Sequence, residues 1–368
     1  MKLECDVEKL KNAILKTERV TGKNLSLPIL NSILLIASEK NLKLRATNLS
    51  LGIEIEIPAK VYKEGVSASS GDVLSNFFAN IYKDETALLE LKSGNLSIKT
   101  KNNAALIKNY SHEDFPTLPI VKENLFKIDA EKLLDGIKSV YFSAALSDIK
   151  PEFASVYVFT DRDDLIFVAT DSFRLAEKKI KLKNPLAIDG LLIPFKNVTE
   201  IIKLLGDIKG EVTVCFNKNQ ISFYYKGIYL TSKLINGTFP DYRQIIPKEH
   251  QTEAISLKQD LLNALRISNI FSDKFNQIVL EVKPKEKIFS VYSKNTDIGE
   301  NRTKVEAALK GEPIEINLNY KYFLDCFQAI SSDSLTVRLN GVSKPVIIKG
   351  VSDDTFTYLI MPMNKWKK

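Results

Sequence analysis

The chain repeats its own plan three times. Val7–Ile14 (VEKLKNAI), Ala130–Ile137 (AEKLLDGI) and Leu257–Leu265 (LKQDLLNAL) open alike, each after a strand-like segment. Leu10, Leu133 and Leu261 are 123 and 128 residues apart. Around them apolar side chains recur at helical spacing: Leu10, Ala13 and Ile14; Leu133, Leu134 and Ile137; Leu261, Leu262 and Leu265. That is the pattern of an amphipathic helix with one buried face. A second helix recurs as well. Val73, Val198 and Phe323 are spaced by 125 and 125, and Phe77, Ile202 and Phe327 follow four residues later, one helical turn on. After each second helix comes a hairpin-like pair: ALLELKSGNLSIKT, EVTVCFNKNQISFYY and LTVRLNGVSKPVIIKG. Their turns carry Gly or Asn, as two-strand connections require. Two copies close on similar segments, DFPTLP and FPDYRQIIP, whose Phe115 and Phe239 are 124 apart.

A period this long far exceeds the ~20–50 residues of a solenoid repeat. Each copy is therefore expected to be a whole α+β domain with two helices packed on antiparallel strands. The boundaries expected are 1–122, 123–249 and 250–368. The Pro and Gly residues at 116–119 and 237–247 suit the junctions.

The net charge of +7 favours a polyanionic partner, and the helices show where that charge sits. On the first helix Lys9, Asn12, Lys16 and Arg19 share a face opposite the apolar one. Lys132 and Lys138 share their helix with Asp135, and Lys196 and Lys203 share theirs with Glu200. Gln259, Asn263 and Arg266 form a polar line, and Lys321 is the main cation of the last helix. These are either ordinary solvated faces or a loose phosphate-contacting surface. No aromatic row interleaves them, so base stacking is not expected. The pattern suits holding duplex without choosing sequence.

Other classes find little footing. No run of ~18 apolar residues suggests a membrane span. The opening MKLECDVEKL lacks the apolar core of a signal peptide, so a cytoplasmic location is expected. Cys5, Cys215 and Cys326 are scattered, and His112 and His250 are the only histidines. The cysteines read as isolated reduced thiols, and with only two histidines beside them no transition-metal site is expected. There is no GxxxxGK[ST], GxGxxG or GxSxG, and no cofactor is expected. Asp161, Asp163 and Asp164 form the densest acidic cluster. They either hold Mg²⁺ for phosphoryl chemistry, making the chain a nucleic-acid-processing enzyme, or form a turn between SVYVFT and LIFVAT. The stretch IFVATDSFRLAEKK, from Ile166, sets Arg174 between Phe173 and Leu175 after a sharp polar turn, with Asp171 placed to pair with it.

Several of these segments together resemble the bacterial DNA polymerase III β subunit family, the sliding clamps. ATDSFRLA is similar to that family's A-T-D-G-x-R-L-A stretch, FPDYRQIIP to its F-P-D-Y-R-x-x-[IL]-P junction, and FSAALSDIKPEF to its F-S-x-A-x-x-D-x-R-P-x-L segment. LNYKYFLDCF resembles its F-N-x-x-Y-L-x-D-x-L helix start, and YLIMPM its ending. The resemblance spans essentially the whole chain. It implies three clamp-type domains per chain and a non-catalytic ring formed by a head-to-tail homodimer, with helices lining the hole around duplex DNA. The implied partners are double-stranded DNA, the replicative polymerase α subunit, the clamp loader and repair proteins.

The same resemblance implies a partner-peptide groove between the second and third domains. Its residues would be Phe153, Thr170, Ser172, Phe173, Arg174 and Leu175, with Pro240, Gln244 and Ile245 from the junction. Phe275, Asn319, Tyr322, Ser343, Leu359, Met361, Pro362 and Met363 would complete it. Leu175, Ile245 and Met361 would make an apolar floor, and Arg174 would offer donors to the peptide. DNA-facing positions would be Lys9, Lys16, Arg19, Lys23, Asn24, Lys132, Lys138, Lys150, Lys196, Lys203 and Arg266. The ring contact would join Leu106 and Ile107 to Ile270 and Phe271. The chain departs from the family pattern at Ser172-Phe173, where Gly and often His stand, at Gln244, where a second Arg is common, and at Ser155 and Lys150. It also continues past the usual end with a tail in which Trp366 either folds over the groove or extends free.

Overall fold

The computed structural model describes residues 1–22, 27–82, 84–184 and 186–364. Six α-helices lie among them: α1 (Val7–Glu18), α2 (Gly71–Ala79), α3 (Ala130–Lys138), α4 (Phe195–Leu205), α5 (Lys258–Ile270) and α6 (Tyr320–Asp325). None is long and apolar enough to cross a membrane. Helix α1 starts where Asp6 accepts the Lys9 N–H at 2.8 Å, a side-chain N-cap. It buries Leu10, Ala13, Ile14 and Thr17 and packs on α2.

The chain forms two compact units, and neither coincides with one sequence repeat: Met1–Glu131 with Lys196–Asn236, and Lys132–Phe195 with Gly237–Lys368. In the first unit, one 13-stranded sheet runs across two repeats. Its joint is the strand Leu51–Pro58 against Ile228–Lys233, with Ile53 opposite Leu230 and Leu51 opposite Ser232. The second unit holds a nine-stranded and a four-stranded sheet. In the larger, Arg174–Lys181 pairs antiparallel with Phe356–Ile360, setting Leu175 opposite Leu359.

The expected hairpins form. Thr86–Lys92 and Asn95–Lys99 pair through Ser93 and Gly94, at φ 49° and 77°, the two positive values that a tight hairpin turn needs. The second-helix register needs a correction in the first copy. Val73 is 46% exposed, whereas Leu74 and Phe78 are fully buried. One residue is 100° of helix rotation, and the Ser70 cap ahead of Gly71 turns Leu74 rather than Val73 inward. Val198, Phe323 and Phe327 are buried, whereas Ile202 is half-buried beside the fully buried Ile201. On α3, a Cβ at Gly136 would lie 2.3 Å from the Phe167 ring, so only glycine lets that helix approach the sheet so closely.

The two closing segments anchor through the repeated phenylalanine. Phe115 packs with Leu34 and Ala68. Phe239 stacks on Tyr157 at 4.7 Å and 7°.

Candidate functional site

Thr170, Asp171 and Ser172 build a turn that holds itself. The Thr170 hydroxyl donates to the Arg174 carbonyl at 2.6 Å and accepts the Ser172 N–H at 3.1 Å. Asp171 Oδ1 accepts the N–H groups of Phe173 and Arg174, both at 3.0 Å. Ser172 takes φ 77°, the left-handed region where glycine meets no Cβ penalty. That explains the glycine in the resembling pattern.

Arg174 is held on three sides. Its Nε donates to Asp171 Oδ2 at 3.0 Å, it donates to Asp325, and its guanidinium lies 4.6 Å from the Tyr322 ring centroid. Its side chain is 11% exposed. Burial pulls its pKa down, but Tyr358, Asp171 and Asp325 outweigh that and the net shift is upward. The expectation that Arg174 presents its donors to a peptide is therefore amended: much of its bonding capacity is spent bracing the turn against α6. Asn319 caps that helix, accepting from Lys321 and Tyr322 N–H at 2.9 and 3.3 Å. Tyr358, fully buried, donates its hydroxyl to the Tyr322 carbonyl at 2.7 Å.

Two depressions flank this brace. An open cleft of about 680 Å³ is lined by Phe173, Phe275, Asn319, Tyr322, Met361, Pro362 and Met363, with Asp273, Gln277 and Asn364. That volume suits a short apolar ligand. A nearly closed slot of about 10 Å³ is lined by Thr170, Ser172, Arg174, Leu175, Ile245, Leu359 and Met361, with Pro345. Met361 faces both and is fixed by its N–H donating to the Phe173 carbonyl at 2.8 Å. Phe173 and Phe275 are 60% and 57% exposed, large apolar surface of the kind that marks binding sites.

Phe153, Pro240, Gln244 and Ser343 line neither depression. Gln244 is exposed and donates to Asp241 at 2.8 Å, and Phe153 lies beside the Lys150 amino group, 5.4 Å from ring centroid to Nζ. Sequence reasoning missed Gln277 and Pro345. Gln277 is the strand partner of Asn319, and Pro345 precedes Val346, the partner of Ile360. Both follow from pairing register, which no local motif carries.

The FPDYRQIIP segment serves chiefly as an anchor. Tyr242 is buried and donates its hydroxyl to Glu177, and burial with the neighbouring carboxylate raises its pKa. Arg243 donates to Asp161 at 2.8 Å. The acidic cluster is a hairpin turn: Asp161 pairs with Asp164 and Arg162 takes φ 56°. Among the described residues no three His, Cys, Asp or Glu side chains converge as metal ligands. The metal-dependent enzyme reading finds no support.

The cation face of α1 also differs from expectation. Lys16 lies 3.5 Å from Asp207 and Arg19 4.0 Å from Glu200, which also takes Lys203 at 2.7 Å. Those carboxylates arrive from α4 and the turn after it, far away in sequence. Lys9, Lys132, Lys138, Lys150 and Arg266 are exposed. Lys23, Asn24 and Trp366 lie outside the described residues. Of the expected ring-contact residues, Leu106 and Ile270 are 65% and 62% exposed, whereas Ile107 is buried and Phe271 half-buried.

The sequence matches the DNA polymerase III beta subunit family in order along its length: N-terminal domain at residues 1–119, central domain at 127–241 and C-terminal domain at 243–364. The beta sliding clamp of Bacillus subtilis is 27% identical over 379 residues, covering 100% of both chains. That of Synechococcus elongatus is 26% identical over 372 residues, covering 99% of both. Among solved structures, the Bacillus subtilis DNA polymerase sliding clamp superposes with a TM-score of 0.95 at 23% identity, covering 100% of both chains. The Thermotoga maritima DNA polymerase III beta subunit does so at 0.93 and 22%, covering 99% of this chain and 100% of that one. With all three domains matched in order, the chain belongs to the DNA polymerase III beta subunit family, the beta sliding clamps.

Proposed function

We propose that two copies of this clamp subunit close head to tail into a ring that encircles duplex DNA without reading its sequence, and that the ring tethers its partners by short peptides. The observation that carries this reading is the tandem match of three clamp domains over residues 1–119, 127–241 and 243–364. The domain boundaries we adopt are 1–122, 123–249 and 250–368. The role is non-catalytic and cytoplasmic, and it needs no cofactor. Partners are the replicative polymerase, the clamp loader and repair proteins.

The cleft beside Arg174 is the tethering groove, with Phe173, Phe275, Tyr322, Met361 and Met363 as apolar walls. Methionine's flexible thioether suits several peptide sequences. Leu106 and Ile270 contribute the exposed apolar area of the ring contact, in a heterologous interface that closes on itself. Lys9, Lys138, Lys150 and Arg266 touch phosphates loosely, and enclosure rather than affinity keeps the ring on DNA. The experiment is extension of a primed single-stranded circle by the cognate polymerase and loader. Products lengthened by this chain, and not by a Met361→Ala variant, are expected. Equal product lengths with and without the chain would overturn the reading.

A further inference from the structure

The groove turn occurs twice. Ala46-Thr47-Asn48-Leu49-Ser50-Leu51-Gly52 stands 123 residues before Ala169-Thr170-Asp171-Ser172-Phe173-Arg174-Leu175, and the two turns share their side-chain-to-backbone hydrogen bonds. Thr47 donates its hydroxyl to the Leu51 carbonyl at 2.9 Å and accepts the Leu49 N–H at 3.0 Å, as Thr170 does with Arg174 and Ser172. Asn48 Oδ1 accepts the Ser50 and Leu51 N–H groups at 3.0 and 2.8 Å, as Asp171 does with Phe173 and Arg174. Leu49 takes φ 73° where Ser172 takes 77°. The Lys233 N–H donates to the Ser50 carbonyl at 2.8 Å, as Met361 does to Phe173.

The first copy encloses more space than the slot of the second: about 160 Å³ against about 10 Å³. Three lining positions differ between the copies. Gly52 stands for Leu175, Gln220 for Pro345 and Lys233 for Met361. A Cβ at Gly52 would lie 2.5 Å from a Leu118 methyl, so Leu118 of the closing segment supplies the floor that Leu175 supplies in the other copy. Lys233 is the one charged residue among those lining the space. A strand residue tied by its backbone to Ser50 thus contributes a cation to the lining of a small, partly apolar cavity, with no carboxylate among the lining.

We propose that this cavity is a second peptide-docking site, taking a short segment with one aliphatic side chain beside a carboxylate. The inference rests on reading the 170–175 turn as a peptide groove. The aliphatic chain packs on Leu49 and Leu118, and the carboxylate pairs with Lys233. The restricted volume admits one anchor, whereas the 680 Å³ cleft admits several.

The test is calorimetric titration of the full chain with acetyl-Ser-Asp-Leu-Phe-amide and with its Asn-for-Asp counterpart. Two sites per chain are expected for the Asp peptide. Lys233→Glu removes one, as does the Asn peptide, with affinity there falling about tenfold or more for loss of a charge-assisted contact. Met361→Ala removes the other. Leu49→Asn, which suits a positive φ, should weaken the Lys233-dependent site without touching the fold. One site, sensitive to Met361→Ala and blind to Lys233→Glu, would overturn this inference and leave the tethering groove standing. One site with the opposite sensitivities would uphold the inference and overturn the groove. No binding at either contradicts both.

Discussion

The Arg174 guanidinium stacks on the Tyr322 ring at 4.6 Å while its edges are held by Asp171 and Asp325. The turn before one strand and the helix that walls the cleft are thereby tied through a single side chain. Replacing it leaves the poorly exposed Asp171 carboxylate without its ionic partner and strips Asp325 of the same arginine. Arg174→Ala should cost about 3 kcal/mol in urea unfolding. Arg174→Lys should recover only part of that, because an ammonium neither stacks nor forks. Full recovery by lysine would show that the stacking contributes nothing.

Tyr242→Phe should destabilise the chain by about 1–3 kcal/mol, since it strands the buried Glu177 acceptor. Arg243→Ala, at a half-exposed pair with Asp161, should cost under about 1 kcal/mol. Equilibrium denaturation of the two variants compares them directly. An equal cost would mean that the closing segment is held by its charge and not by its buried tyrosine.

Much of this design was legible because repetition survives in spacing. Leu10, Leu133 and Leu261 mark three real helices, and Phe115 and Phe239 both reach a core. The Asp171–Arg174 pair was readable because it is local. What stayed hidden depends on partners distant in sequence. Nothing near Lys16 announces Asp207, nothing near Arg174 announces Asp325, and Pro345 joins the slot only through strand register. The slip from Leu74 to Val73 has a similar cause. Spacing between copies tolerates a one-residue offset that a helix face does not.

The proposed ring contact divides by side-chain direction. Leu106 and Ile270 project outward and Ile107 projects into its own core. Leu106→Ala or Ile270→Ala should weaken self-association without altering thermal unfolding at high protein concentration by more than a few degrees. Ile107→Ala should instead lower fold stability by about 2–4 kcal/mol through a cavity. Sedimentation equilibrium of the three variants separates these effects. An unchanged dimer in the first two would move the contact elsewhere.

The thiols give a pH dependence with a definite sign. Burial, aided by Asp6 and Glu4, raises Cys5 from 9.0 to about 12, and burial also raises Cys326. The folded chain keeps the Cys5 proton where the unfolded chain has released it. Its contribution to stability is complete below pH 9 and declines as pH rises toward 12. Wild type should therefore lose stability faster than Cys5→Ala across that window in parallel melts. Parallel slopes would contradict the assignment. At pH 8 both thiols should resist Ellman's reagent until the chain is unfolded.

The proposed attachment to DNA is topological. The chain should be loaded by its cognate loader and ATP onto a nicked circle, the circle cut once, and the bound fraction measured by gel filtration before and after cutting. A ring that encloses duplex stays on the circle at high salt and runs off the linear form. Retention that is equal on both forms, and that falls with salt alike on both, would mean ordinary electrostatic binding and would contradict the account.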